Sequence, residues 1–84
     1  MPEEEVAVIS NFFAKAGVAA LKITSGTIRI GDLLKYKGYT TDFTEEVASM
    51  QIENQPVEEA KAGDEVGIKV KERVRKKDRV YKIV

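Results

Sequence analysis

Apolar and polar side chains alternate most regularly at residues 60–70 (AKAGDEVGIKV), where a Gly-Asp turn leads into a short apolar run. Val66, Ile68 and Val70 occupy every second position, and the positions between them are charged or glycine. A period of two is typical of a β-strand that has one buried face and one solvated face. The pattern therefore predicts a strand after the turn, in a sheet that covers a core on one side only.

Two further apolar runs near the start of the chain predict a β-hairpin. Residues 6–13 and residues 18–23 are rich in aliphatic and aromatic side chains, and Gly17 lies in the turn between them. The alternative is a single amphipathic helix over residues 6–21. Because Gly17 inside such a helix would cost about 1 kcal/mol relative to Ala, the hairpin is the favoured interpretation.

The middle of the chain is divided into short pieces. Three glycines punctuate residues 24–38 and leave runs of only four or five residues, a pattern typical of a barrel or sandwich of short strands. We expect residues 39–46 to form a polar loop, and residues 55–63 to form a single helical turn or a structured loop. Residues 45–54 fit a helix by propensity and a strand by alternation, and the residues alone do not decide between the two.

Composition bounds the fold and the chemistry. With 84 residues, the chain is expected to form one domain over residues 1–84, with residues 1–4 flexible. It contains no Cys and no His, which excludes a disulfide framework, a thiolate metal site and the usual general base. We therefore predict a protein that is not an enzyme and holds neither a metal nor a cofactor. An acidic start and the lack of a long apolar run predict an unprocessed cytoplasmic protein without a membrane segment.

The formal net charge of zero hides an asymmetry along the chain. Residues 1–68 contain twelve acidic and six basic side chains, whereas residues 69–84 contain two acidic and eight basic ones. The cations predicted to form a binding surface are Lys69, Lys71, Arg73, Arg75, Lys76, Lys77 and Arg79. If the strand continues past residue 70, the first four lie along its solvated face, where they could contact the phosphates of RNA. The alternatives are a solvated face that balances the acidic residues 42–65, and a contact with an acidic protein.

Other features have a functional and a structural interpretation. The six aromatic side chains could stack on bases, but packing in the core is more typical of so small a domain. Gly67 inside the predicted strand indicates either a β-bulge, which is favoured, or a close approach of another chain. Asp42, Glu45 and Glu46 lack the ligand spacing of a cation-binding loop.

The ordered set of turns and strands resembles the β-barrel second domain of the translational GTPases, the family of elongation factor Tu and bacterial initiation factor two. The matching marks are the Gly17-Val18 pair, GTIRIGD at residues 26–32, Val47, AGDEVGIKV at residues 62–70 and Asp78-Arg79-Val80. The chain is especially similar to small stand-alone proteins described as translation-elongation-factor-like, and more distantly to the barrel that ends some collagenase-like peptidases. The resemblance implies an all-β fold, a closed six-stranded antiparallel β-barrel, and therefore a strand at residues 45–54.

The resemblance does not extend to the GTPase, because the chain contains no G-x-x-x-x-G-K-[ST] motif and is not expected to bind GTP by itself. In elongation factor Tu the acceptor end of an aminoacyl-tRNA meets an acidic and a basic side chain shortly before the Ala-Gly-Asp-like turn. The matching positions here are Gln51 and Asn54, which retain neither charge. Lys77 stands where the family commonly has Gly before Asp78, so this turn must use another geometry or direct its lysine side chains outward.

Resemblance and charge together predict a non-catalytic, translation-factor-like binding module. Its expected partner is ribosomal or transfer RNA, contacted through the basic C-terminal residues. The alternative is an accessory domain or subunit that contacts a protein and works with a separate enzyme, such as a collagenase-like peptidase or an RNA-modifying enzyme.

Overall fold

The computed structural model describes residues 2–84, and this range is built from β-strands and contains no helix. All strand pairs are antiparallel. The ten strands are β1 (Glu3–Phe13), β2 (Val18–Ile23), β3 (Thr27–Arg29), β4 (Leu33–Lys37), β5 (Asp42–Glu46), β6 (Met50–Ile52), β7 (Gln55–Val57), β8 (Glu59–Lys61), β9 (Glu65–Lys69) and β10 (Arg79–Ile83). The all-β prediction is therefore confirmed, as are the β1–β2 hairpin and the strand that follows the Gly63-Asp64 turn.

Strand β1 organises the sheet because it pairs with β10 through residues 3–8 and with β2 through residues 7–13. Its register shifts between Glu5 and Ala7 against β10, and between Ile9 and Asn11 against β2. Such bulges bend a strand and increase its twist, so that one long strand can curve around a small core. Residues 1–4 were expected to be flexible; Met1 lies outside the described residues, and Glu3 begins β1 opposite Ile83.

The core lies under the curved sheet and is formed by the apolar face of each strand. On β9, Val66 and Ile68 are each 1% exposed while Glu65 and Lys69 face solvent, as the alternation predicts. Tyr36 on β4 stacks on Phe43 of β5, with ring centroids 4.7 Å apart. Fully burying an aliphatic or aromatic side chain contributes about 1.5–3 kcal/mol, so this face supplies most of the driving force for folding.

Two of the predicted connections are strands. Residues 39–46 were expected to form a loop, but Asp42–Glu46 is β5 and pairs with β4. Residues 55–63 contain β7 and β8 instead of a helical turn. Of residues 45–54, Glu45 and Glu46 end β5 and Met50–Ile52 forms β6, so the strand that the resemblance implied is present in part. Strands β5, β7 and β8 were missed because each is short and buries few side chains, so that none has a visible alternation.

The hydrogen-bonded ladder is open, and in this respect the prediction of a closed six-stranded barrel differs from the structure. Eight strands form one sheet in the order β5-β4-β10-β1-β2-β9-β6-β7, and β3 pairs with β8 in a separate two-stranded sheet. Backbone bonds extend the β4–β5 pair and the β3–β8 pair beyond the strand ends, each within its own sheet. Gly31 N donates to Val47 O at 2.8 Å, and Ile30 N donates to Glu58 O at 3.0 Å. Residues 2–84 contain no helix able to cross a membrane.

Candidate binding surfaces

The predicted basic residues do not form a straight strip, because β9 ends at Lys69. The chain then forms an irregular segment, in which Val70 and Val74 are buried and serve as apolar anchors. The cations from Lys71 to Arg79 are exposed. The predicted row of four cations along one continuing strand is therefore wrong, and the charged side chains project from a loop.

Part of the basic charge is already neutralised within the domain. The guanidinium of Arg79 donates to both carboxylate oxygens of Glu5, at 3.1 and 2.9 Å. Lys82 contacts the carboxylate of Asp32 at 3.2 Å. Within residues 2–84, the side chains that remain without an ion pair in the segment are those of Lys69, Lys71, Arg73, Arg75, Lys76 and Lys77.

The turn that bears Arg75, Lys76 and Lys77 is held by the buried carboxylate of Asp78. This side chain is only 6% exposed. One of its oxygens, Oδ2, accepts hydrogen bonds from Thr41 Oγ1 at 2.5 Å and from the backbone N–H of Arg75 at 2.9 Å. Because buried polar groups are costly unless paired, these two bonds fix the turn to the β4–β5 connection.

A glycine makes this contact possible. A Cβ atom built on Gly38 would lie 1.9 Å from Asp78 Oδ1, far inside van der Waals contact, so only Gly fits here. The next residue, Tyr39, is fully exposed. The sequence does not indicate this arrangement, because Thr41 and Asp78 are 37 positions apart and a lone Gly before a polar segment is typical of any turn.

Lys77 shows how the turn accommodates a lysine where the family commonly has Gly. Its φ angle is +75°, in the left-handed region that glycine adopts without strain. Its backbone N–H donates to Ile9 O at 2.9 Å, and Ile9 N donates to Asp78 O at 2.8 Å. The lysine therefore keeps the glycine-like conformation, is locked to β1, and has an exposed side chain.

A second candidate surface is a groove of about 420 Å³ on the outer face of β2, β9 and β6. Gln51 and Asn54, the positions matched to the acceptor-end contacts, both line it. The charged side chains that line the groove are the carboxylates of Glu53 and Glu65. Since two carboxylates repel phosphate, the groove lacks the charge that the end of an RNA chain requires.

Gly67 forms part of this groove and is not a bulge. Strand β9 pairs with β2 in unbroken register, with Gly67 opposite Ala20. A Cβ at position 67 would lie 3.2 Å from a methyl carbon of Val18 and 3.5 Å from Cγ of Gln51. The glycine thus permits these two side chains to close over the strand, and the favoured bulge interpretation is wrong.

Metal ligation receives no support from the geometry, because residues 2–84 contain no group of three His, Cys, Asp or Glu side chains able to hold a metal ion. Asp42, Glu45 and Glu46 are instead spread along β5. The Glu45 carboxylate accepts a hydrogen bond from the backbone N–H of Lys71 at 2.9 Å and so helps to position the basic segment.

Comparison with known proteins separates fold from function. The family model for elongation factor Tu domain 2 matches residues 16–80. An uncharacterized protease of Methanocaldococcus jannaschii is 42% identical over 78 residues, which cover 92% of this chain and 19% of that protein. A collagenase of Porphyromonas gingivalis is 39% identical over 72 residues, which cover 84% of this chain and 20% of that protein. The chain thus spans about a fifth of the length of these curated relatives.

A solved structure has the same fold. The C-terminal domain of a protein described as a U32 peptidase, from Geobacillus thermoleovorans, superposes with a TM-score of 0.88 at 19% identity, covering 96% of this chain and 93% of that one. At this identity the likeness concerns the fold alone.

The relatives overturn the predicted function. A translation-factor-like module on ribosomal or transfer RNA was expected, but the relatives that match across most of the chain are a protease and a collagenase. The translational and ribosomal assignment is therefore wrong, whereas the expected type of domain is confirmed by the family model. Since that model matches residues 16–80 of the 84, the chain belongs to the family of elongation factor Tu domain 2.

Proposed function

We propose that the chain is a non-catalytic accessory domain that works with a peptidase of the U32 or collagenase-like type. The observation that carries this proposal is how much of each protein the match covers. Nearly the whole chain matches the Methanocaldococcus protease, but the match occupies only 19% of that protease. A domain so confined within a much longer enzyme is expected to support its chemistry instead of performing it.

The side-chain composition of the domain also favours a non-catalytic role. The chain has no His and no Cys, so it offers neither the usual general base nor a thiol nucleophile for peptide hydrolysis. We place the hydrolytic groups in the remainder of the peptidase. The absence of a catalytic group, a metal and a cofactor in this chain, and its cytoplasmic location, stay predictions.

The partner in this proposal is therefore a protein, namely the catalytic part of the peptidase. The domain would contact it as one subunit contacts another or as one domain of a chain contacts the next. Interfaces between domains are commonly more polar than obligate ones, which fits a surface rich in charged side chains.

The test uses the Porphyromonas collagenase from which the segment matching this chain has been deleted. Isothermal titration calorimetry with this chain should give saturable binding to the truncated enzyme. The intact collagenase, whose own segment occupies the contact, is the control and should bind much less. Equal heats with both enzymes, or none with either, would contradict the proposal.

A further inference from the structure

The turn of residues 75–77 and the neighbouring tip at Tyr39, here called the clamp surface, combine exposed cations with an exposed aromatic side chain. Arg75, Lys76 and Lys77 are consecutive and exposed, and within residues 2–84 none of them forms an ion pair. Three adjacent cations without local compensation produce a positive potential that attracts an acidic group.

The backbone of the clamp surface is rigidly held. Asp78 binds Thr41 on one side and the N–H of Arg75 on the other. Reciprocal bonds with Ile9 fasten Lys77 and Asp78 to β1. A surface fixed in this way loses little conformational entropy when a partner binds, which favours recognition.

Tyr39 adds an aromatic side chain to the clamp surface. It is 103% exposed, whereas Tyr36 on the same hairpin is 1% exposed. Gly38, the residue before Tyr39, lies against the carboxylate of Asp78, which follows the cationic turn, so Tyr39 projects close to that turn. Tyrosine and arginine are among the residues enriched at the energetic centres of protein interfaces.

The extent of the surface favours a protein over a nucleic acid. Binding along a nucleic-acid backbone requires a groove or strip of cations that follows successive phosphates. Here β9 ends at Lys69, and the charge of Arg79 is neutralised by Glu5. Of the six cations that remain without an ion pair, Lys69, Lys71 and Arg73 are separated along an irregular segment. The other three are consecutive in one turn beside the aromatic tip, a compact arrangement that fits an acidic patch on a protein better than a row of phosphates.

We infer that the clamp surface is where the domain contacts an acidic face of its protein partner. The inference rests on the proposed function, which supplies the peptidase as that partner. Charged contacts at the edge of an interface mainly accelerate association and weaken as salt is added. The tyrosine would contribute the contact that excludes water.

The test is a calorimetric titration of the truncated Porphyromonas collagenase with variants of this chain. Replacing two exposed contacts, Lys76→Gln with Lys77→Gln, should weaken binding roughly tenfold and flatten the dependence on salt. The matched control is Lys22→Gln with Lys61→Gln, which removes the same charge from two exposed lysines near the Gly63 turn and should leave the affinity unchanged. Tyr39→Ala should also weaken binding, without a change in melting temperature.

The outcomes separate this inference from the function on which it rests. If the wild-type chain does not bind the truncated enzyme, both fail. If it binds and the Lys76/Lys77 variant binds equally well, the clamp surface is not the contact, although the accessory role stands. Tighter binding of a structured RNA than of the enzyme, with the same dependence on these two lysines, would assign the surface to RNA and overturn the inference.

Discussion

At the scale of single residues, the contact between Gly38 and Asp78 connects the fold to the proposed contact surface. The carboxylate of Asp78 occupies the space that a side chain at position 38 would need. That carboxylate accepts hydrogen bonds from the hydroxyl of Thr41 and from the backbone N–H of Arg75. One small residue thereby permits a buried acid to organise a turn that is distant in sequence.

Gly38→Ala should be strongly destabilising. The new methyl group would displace the Asp78 carboxylate and break its hydrogen bonds, at an expected cost of about 2–4 kcal/mol. Urea denaturation measures this change in the free energy of unfolding. The matched control is Gly67→Ala, where the nearest atom is a methyl of Val18 at 3.2 Å and the expected change is less than about 1 kcal/mol.

A double-mutant cycle identifies the cause. In Asp78→Ala the atoms that Gly38 faces are removed, so adding Gly38→Ala to that variant should cost almost nothing further. Additive losses would mean that the clash lies elsewhere and that the described contact does not explain the requirement for glycine.

Lys77→Gly should stabilise the domain by about 1 kcal/mol, because a lysine at φ +75° is strained and glycine is not. The neighbouring substitution Lys76→Gly removes the same charge at a residue without a positive φ, and it should be neutral or destabilising. Thermal unfolding of the pair gives the answer as a difference in Tm. A lower Tm for Lys77→Gly than for Lys76→Gly would contradict the claim that the backbone at Lys77 is strained.

At the scale of strands, the β6–β7 hairpin turns through Glu53 and Asn54, with φ angles of 51° and 65°. Ile52 pairs with Gln55 across the turn, so the loop has two residues. Two consecutive positive φ angles define the turn type that Asn-Gly forms best. Changing Glu53→Asn with Asn54→Gly should stabilise the domain by about 1 kcal/mol in urea denaturation, whereas Ala at both positions should destabilise it.

The β4–β5 pair predicts a dependence of stability on alkaline pH. Burial, and to a smaller extent the carboxylate of Glu45, raise the pKa of Tyr36 above its usual value of 10.0. The stability that the neutral phenol contributes is therefore complete below about pH 10 and is lost as the pH rises above it, at up to about 1.4 kcal/mol per unit. Urea denaturation at about pH 9 and about pH 11 measures the free energy of unfolding, which should decrease less between these pH values for Tyr36→Phe than for wild type. Equal losses would mean that Tyr36 is not the group responsible.

The sequence predicts strands where side chains alternate, and it fails where tertiary contacts alone define the strand. The alternation that places Val66 and Ile68 on one face predicts β9 directly. In contrast, β5 is defined by its pairing with β4 and by the stacking of Phe43 on Tyr36. Strand β7 contains a proline at position 56 that argues against a strand. Register, bulges and the open ladder depend on pairing across the sheet, which a local pattern does not contain.

At the scale of the whole molecule, the segregation of charge is real but its geometry is not visible in the sequence. Which cations are neutralised depends on partners such as Glu5 for Arg79 and Asp32 for Lys82. Buried Val70 and Val74 convert the predicted strip into a loop. The sequence therefore predicts the residues of the basic surface, whereas its shape follows from the structure and its proposed partner from the relatives.

The central claim is that this domain supports a peptidase, and replacement within an enzyme tests it most directly. The measurement is degradation of collagen by the intact Porphyromonas collagenase, by the enzyme lacking its matching segment, and by a chimera that contains this chain in place of that segment. We expect the deletion to reduce the rate and the chimera to restore it. A folded chimera that is no faster than the truncated enzyme, or a truncated enzyme as fast as the intact one, would contradict the claim.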